Sequence, residues 1–191
     1  YPDYYQHLPG SLPGGRSLDP ELFDVDCLGE EIHHLQPASP TTLLMGKIAW
    51  NARQAHKVMS KERGWHLLVL WAMLRYKFDS GWRKKRGLNR DRRSALGSSL
   101  VGALRRSMMD RNIPLWLKTD FKDFVFSDDG AIAGVVANKD GQEITIYAKK
   151  GVILGSGGFE RNQSLREQYL PQPTNQAWSA TPVDNNTGAG L

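Results

Sequence analysis

The sequence predicts an α+β (α/β) protein, and three observations carry that expectation. Apolar residues recur at spacings of three and four between residues 41 and 110, β-prone runs alternate with aspartate-glycine turns between 115 and 148, and an unbroken apolar run closes in glycines at 151–158. The 191 residues suffice for one domain, or for one with part of a second. With 24% charged and 40% hydrophobic residues, the composition is that of an ordinary globular protein rather than a disordered one. Cys27 is the single cysteine, so no internal disulfide can form, and a cytoplasmic setting is the expectation. The most apolar stretch, Trp65 to Leu74, is closed by Arg75, well short of the roughly 18–20 residues that span a bilayer. The chain opens on Tyr1-Pro2-Asp3-Tyr4-Tyr5 without a Met and stops within Gly188-Ala189-Gly190-Leu191, so an internal piece of a longer protein is expected.

Taken in order, residues 1 to about 40 are rich in Gly and Pro, which break helices and force turns, and predict a long ordered loop. Leu44, Ile48, Ala52, Ala55 and Met59 then share one face of a helix, and Leu67, Leu70, Trp71, Leu74 and Phe78 form the stripe of a second, expected to face a core. A third helix starts at Gly97 to Ser99, where Ser98 or Ser99 can cap it, runs through Leu100, Leu104 and Met108, and is ended by Asn112 and Pro114. Strands are expected at Leu115 to Leu117, Phe121 to Phe126, Ala131 to Ala137 and Glu143 to Ala148, the last three forming a meander through Asp128-Asp129-Gly130 and Asp140-Gly141. The run Gly151-Val152-Ile153-Leu154-Gly155 has the character of a strand buried on both faces, as in a parallel sheet. Glycines at the end of such a strand serve either a plain strand-to-helix turn or the close approach of backbone N–H groups to a phosphate or ring.

The net charge of +5 is concentrated in Arg83-Lys84-Lys85-Arg86 and Arg90-Asp91-Arg92-Arg93. Such a stretch either holds phosphates or an anionic surface, or is a solvated basic loop. No metal site is expected: the adjacent His33 and His34 diverge on a helix or strand, and no third ligand stands at zinc spacing. Cys27 has no nearby His that would mark it as a nucleophile.

Gly155-Ser156-Gly157-Gly158-Phe159-Glu160-Arg161-Asn162, followed by Trp178 and by Asn185-Asn186-Thr187-Gly188-Ala189-Gly190, resembles the paired flavin-contact stretches of the fumarate reductase and 3-ketosteroid dehydrogenase superfamily. The opening Tyr1-Pro2-Asp3-Tyr4-Tyr5, with Pro9-Gly10 and Gly14-Gly15-Arg16 behind it, is similar to the start of the catalytic domain in 3-ketosteroid dehydrogenases. Ser99-Leu100-Val101-Gly102-Ala103-Leu104 leading into Ile113-Pro114-Leu115-Trp116-Leu117 resembles that family too. The resemblance implies a fragment of a Rossmann-like FAD-binding domain with a β-meander (residues 106–191) plus part of a mainly helical catalytic domain (residues 1–105). It implies FAD as cofactor and a steroid-like small molecule as substrate. The dinucleotide fingerprint G-x-G-x-x-G is not in the sequence and would lie upstream in such a protein, so the N- and C-terminal parts of the same polypeptide are implied as partners and the fragment is expected to be inactive alone.

The reaction implied is dehydrogenation of the A ring of a 3-ketosteroid, one hydrogen leaving as a proton and its neighbour as a hydride taken by the flavin. Tyr4, with Tyr5 next, would lie at the substrate and tune a second, basic tyrosine outside this sequence. Ser156, Gly157, Gly158 and Phe159 would contact FAD on one side, and Asn186, Thr187, Gly188 and Gly190 on the other. Phe121 would stand on a strand bordering the adenine. Ala189 departs from the aspartate common in the family and removes one acceptor. Two rival functions stand beside this one. A fumarate or succinate-type flavoprotein would need a cluster of arginines and histidines to clamp carboxylates, and the sequence shows none in a convincing motif. A non-enzymatic domain binding an anionic surface through residues 83–93 would betray itself by steep salt dependence. Nucleic acid is not an expected partner, whereas peripheral membrane contact would suit an apolar substrate.

Overall fold

The computed structural model describes residues 5, 7–14, 18–179, 181 and 186–188; the expected site residues Tyr4 and Gly190 lie outside them. The chain divides into two compact units, Tyr1–Pro114 and Leu115–Leu191. Helices and small antiparallel sheets make a mixed α/β protein.

In the first unit, strand β1 (Phe23–Asp24) leads directly into two short 3-10 turns, Val25–His34, kinked at Gly29 (φ +59°), which Asp24 starts by accepting a hydrogen bond from the Asp26 amide at 3.1 Å. Val25, Leu28 and Ile32 are fully buried at the centre of this unit, with Phe23, Leu35, Trp82, Leu88 and Met109 packed around them. Burial of side chains of this size is worth about 1.5–3 kcal/mol each. The region expected to be a loop therefore carries the core. Its helical spacing of three and four at residues 25, 28 and 32 is legible, but the surrounding Gly and Pro dominate the sequence pattern.

The first expected helix is shorter than its apolar spacing. Leu44 and Ile48 pair across a tight turn instead, and α1 (Ala52–Met59) begins only where Asn51 and Gln54 form a reciprocal capping box. Helix α2 (Trp65–Phe78) forms as expected, but the stripe of Leu67, Leu70, Trp71, Leu74 and Phe78 faces outward. The helix is apolar all round, so its inward side is chosen elsewhere: Ala72 is buried, and Arg75 reaches inward to the Ala49 carbonyl at 2.8 Å and to Asp91 at 3.2 Å. Arg75 and Asp91 are only 9% and 2% exposed, an ion pair whose separation would strand a buried charge.

Helix α3 (Ser80–Arg86) and strand β2 (Arg93–Ser94, antiparallel to β1) carry the basic stretch. Its arginines are tied into the unit, while Lys84 and Lys85 between them stay exposed. Arg83 donates to the Tyr76 carbonyl, Arg86 to Asp26 and Glu30, Arg90 to the Leu35 carbonyl, Arg92 to Asp24 and Arg93 to Asp79. Helix α4 (Leu96–Asp110) follows the expected third helix, with a different start. Ser98 and Ser99 do not cap it; they donate to the Gln36 and Glu21 carbonyls and tie the helix to the preceding chain. Gly102 lies against the Phe23 ring, where a Cβ would stand 2.8 Å from it.

The second unit opens with the meander β3 (Thr119–Phe126), β4 (Ile132–Lys139) and β5 (Gln142–Tyr147), paired antiparallel in that order through the two expected turns. Leu115 to Leu117 is not a strand. Neither is Val152 to Leu154, where Ile153 is 96% exposed. The physical reason is pairing: no strand among the described residues lies beside this run, and without a partner its N–H and C=O groups form no ladder. Helix α5 (Gln163–Tyr169) follows, capped by Asn162, whose side-chain oxygen accepts from the Leu165 amide at 3.0 Å.

Candidate functional site

Two stretches far apart in sequence, 156–162 and 186–188, are stapled together in the second unit. The Gly188 amide donates to the Gly158 carbonyl at 3.1 Å, and the Arg161 amide to the Asn186 carbonyl at 3.0 Å. The Asn162 side-chain amide closes the seam on the Thr187 carbonyl at 2.9 Å. Asn162 thus starts α5 with one atom and holds the second stretch with another.

The glycines make this approach possible. Gly157 has φ +79°, a left-handed conformation, and a Cβ there would stand 2.2 Å from the Asn186 side-chain oxygen. Gly188 has φ +78° and presses against Leu165 and the Phe159 Cβ. Asn186 itself sits at φ +55°, a region asparagine tolerates better than most residues. Gly158 lies under the Glu160 carboxylate, 2.7 Å from where its Cβ would be. The space a side chain would fill is taken at each of these glycines by the protein itself, so their smallness first serves contact between the stretches.

What the stretches leave open is backbone. The amide N–H groups of Ser156, Gly157 and Gly158, and the Ser156 hydroxyl, bond to no other described residue. Free N–H groups in succession form a concave donor surface of the kind that receives anions and polar ring edges. The donor set therefore fits a dinucleotide cofactor. Beside it is a cavity of about 200 Å³ lined by Gly158, Phe159, Glu160, Arg166 and Leu170. The Phe159 ring is tilted against Tyr169 at 6.0 Å.

Of the residues expected at a site, the structure brings Gly157, Gly158 and Phe159 into contact with Asn186 and Gly188, and reaches Thr187 through Asn162; Ser156 adjoins them in sequence. Phe121 is not joined to them by any hydrogen bond or ring contact: it packs edge-on to Phe124 at 5.0 Å and stands opposite Ala137 in the meander. Tyr5 belongs to the first unit, is 67% exposed and meets His7 edge-on at 6.2 Å. The sequence pattern did not single out Asn162, Glu160 or Arg166 as individual site residues. An asparagine able to cap the chain that follows it was the available signal for the first, although the sequence pattern marked no helix at Gln163–Tyr169. The other two act through burial, which spacing does not reveal. His33 lies 3.9 Å from Glu30, and no cluster of three metal-binding side chains occurs among the described residues. The Cys27 thiol donates to the Asp24 carbonyl, and desolvation pushes its pKa up, away from nucleophilic character.

The chain belongs to the FAD binding domain family, whose model matches residues 5–191. Within that class it is similar to 3-oxosteroid 1-dehydrogenases: the one from Comamonas testosteroni is 38% identical over 91% of this chain and 30% of its own length, and the one from Mycolicibacterium smegmatis is 32% identical over 100% of this chain and 33% of its own. Among solved structures, the 3-ketosteroid delta1-dehydrogenase of Sterolibacterium denitrificans, in complex with 1,4-androstadiene-3,17-dione, superposes with a TM-score of 0.90 at 47% identity, over 97% of this chain and 33% of that one. The chain thus spans about a third of the length of the relatives it matches. The resemblance to a flavoprotein family and the expectation of FAD both agree with these likenesses.

Proposed function

We propose that this chain is part of an FAD-dependent oxidoreductase that dehydrogenates the A ring of 3-ketosteroids. The observation that carries the reading is the stapled pair of stretches at 156–162 and 186–188, in a chain 47% identical to a solved 3-ketosteroid delta1-dehydrogenase. In this reading residues 106–191 are a portion of a Rossmann-like FAD domain and residues 1–105 a portion of the substrate domain. When bound, FAD accepts the hydride; this chain's part is to hold it. Ser156, Gly157 and Gly158 offer free donors, Phe159 an apolar wall, and Asn186, Thr187, Gly188 and Gly190 the opposing stretch. Phe121 borders the adenine, and Tyr4, with Tyr5 next, lies at the substrate and tunes a second, basic tyrosine supplied by the rest of the polypeptide. The remaining segments of the same polypeptide complete the site.

The test is made on the full-length protein. It should purify with a flavin spectrum, and under anaerobic conditions a 3-ketosteroid saturated in the A ring should bleach the flavin absorbance near-stoichiometrically. A colourless protein with no affinity for FAD defeats the proposal, and a flavin bleached by a dicarboxylate in place of the steroid gives the chain to the fumarate-type reading.

Peripheral contact with a lipid surface belongs to the same proposal. It is supported by the outward stripe Leu67, Leu70, Trp71, Leu74 and Phe78 of α2, with the exposed Lys77 on the same helix. No helix among the described residues is long and apolar enough to cross a membrane. Flotation of the full-length protein with anionic vesicles, lost in Trp71→Glu, is the expected result; equal flotation of the two removes the idea.

A further inference from the structure

Five buried side-chain nitrogen or oxygen atoms among the described residues have no hydrogen-bond partner, and two of them line one cavity: Glu160 Oε2 and Arg166 Nε. Buried polar atoms are nearly always satisfied, so an acceptor and a donor left open in the same hollow need an explanation. They do not satisfy one another. The Arg166 guanidinium instead makes a long 3.4 Å bond to the Glu160 carbonyl, and the Glu160 carboxylate is folded back over Gly158. The hollow they share with Gly158, Phe159 and Leu170 has a volume of about 200 Å³. Pockets that take a whole drug-sized ligand run to roughly 300–1,000 Å³, so this one suits a portion of a larger molecule. Its Gly158 wall is the residue that also receives the Gly188 amide, which sets it directly beside the stapled stretches.

A group that meets a carboxylate oxygen and a guanidinium N–H together must donate to one and accept from the other. A hydroxyl does both. We propose that Glu160 and Arg166 form a hydroxyl-reading pair for the sugar or ribityl portion of the cofactor, Glu160 accepting from an O–H and Arg166 Nε donating to the same or the adjacent oxygen. This deepens the reading of the chain as part of an FAD site and rests on it. It also accounts for Gly158: a Cβ there would push the carboxylate out of the position in which its Oε2 is open.

The experiment uses the full-length protein, stripped of flavin and reconstituted, with affinity read from quenching of flavin fluorescence and the melting temperature of the flavin-free form read in parallel. Glu160→Gln and Arg166→Lys should each weaken FAD about 10- to 100-fold, as expected when a charge-assisted hydrogen bond is lost, while the flavin-free protein melts where the wild type does. Gly158→Ala, which displaces the carboxylate without removing it, should reproduce the Glu160→Gln loss. FMN and FAD form the two arms. A loss shared by both places the pair at the ribityl chain, and a loss confined to FAD places it at the adenosine ribose. Unchanged FAD affinity in Glu160→Gln overturns the proposal. So does a flavin-free Glu160→Gln protein that melts well below wild type, since the hollow is then filled by polypeptide. A wild-type protein that binds no FAD at all brings down the reading of function itself, and is thereby told apart from failure of the pair.

Discussion

Asp26 shows how single residues hold the first unit. Its carboxyl pKa is lowered below the ordinary carboxylate value, first by the Trp82 indole N–H, which donates to it at 2.8 Å, and then by Arg86. A group whose folded-state pKa is depressed contributes stability that is fully present above its unfolded pKa and is lost as pH falls through the folded value. The stabilisation from Asp26 is therefore intact at neutral pH and fades only below the usual aspartate range, about 3.9. Trp82→Phe removes the largest cause of the shift. Its acid-unfolding curve, followed by circular dichroism, should begin at higher pH than wild type, and the Asp26 carboxyl resonance should titrate closer to its ordinary value. Coincident acid transitions in the two proteins would refute this account.

Among the elements, the meander depends on a contact that no turn rule anticipates. Gly134 in β4 lies so close to β5 that a Cβ would stand 2.3 Å from the Ile146 carbonyl oxygen. The obstacle is backbone, which cannot rotate aside as a side chain can. Gly134→Ala should raise hydrogen exchange across β4 and β5 and cost on the order of 1–3 kcal/mol or more, as overpacking does; unchanged protection at Ala137 and Thr145 would count against it. The meander itself was legible because its aspartate-glycine turns and alternating residues act within a few positions of one another. The core turns at 25–34 were not, since their partners Trp82, Leu88 and Met109 are distant in sequence and local Gly and Pro masked their spacing. The apolar run at 152–154 shows the opposite case: strand character is present, but a strand forms only where a neighbour pairs with it. In the candidate site, glycine placement pointed to the first stretch beside the alternative of a plain turn, and the second was readable only through its resemblance to flavin-contact stretches. The seam made by Asn162 and the open pair at Glu160 and Arg166 arise from three-dimensional closeness, which no spacing encodes.

At the scale of the whole chain, large apolar side chains stand exposed in both units, including Trp71, Leu74 and Phe78 of α2, Leu100 and Leu104 of α4, Trp116, and Ile153 and Leu154. Scattered exposed leucines are ordinary, but contiguous stripes on two helices are not. The 191-residue chain produced by itself should bind the dye ANS strongly and elute by light scattering above its 21.4 kDa monomer mass, and the full-length protein, with only the α2 stripe left open to lipid, should bind far less of the dye. A monomer that leaves the dye dark would mean these stripes are accommodated within the chain. Its formal charge of +5 would overstate how much free cation such a surface offers, since Arg86, Arg90, Arg92 and Arg93 are already engaged.

The seam between residues 156–162 and 186–188 also works as a clasp around the segment it encloses. Arg161 and Gln163 bind Gln176 from within that segment, so the enclosed polypeptide is anchored at its neck and again at its middle. Helix α5 is part of the grip, since Leu165 meets Gly188 and Tyr169 meets Phe159, so length can vary only outside it. The short stretch between Leu170 and Gln176 is therefore the place to graft a reporter sequence while the two gripping edges keep their spacing.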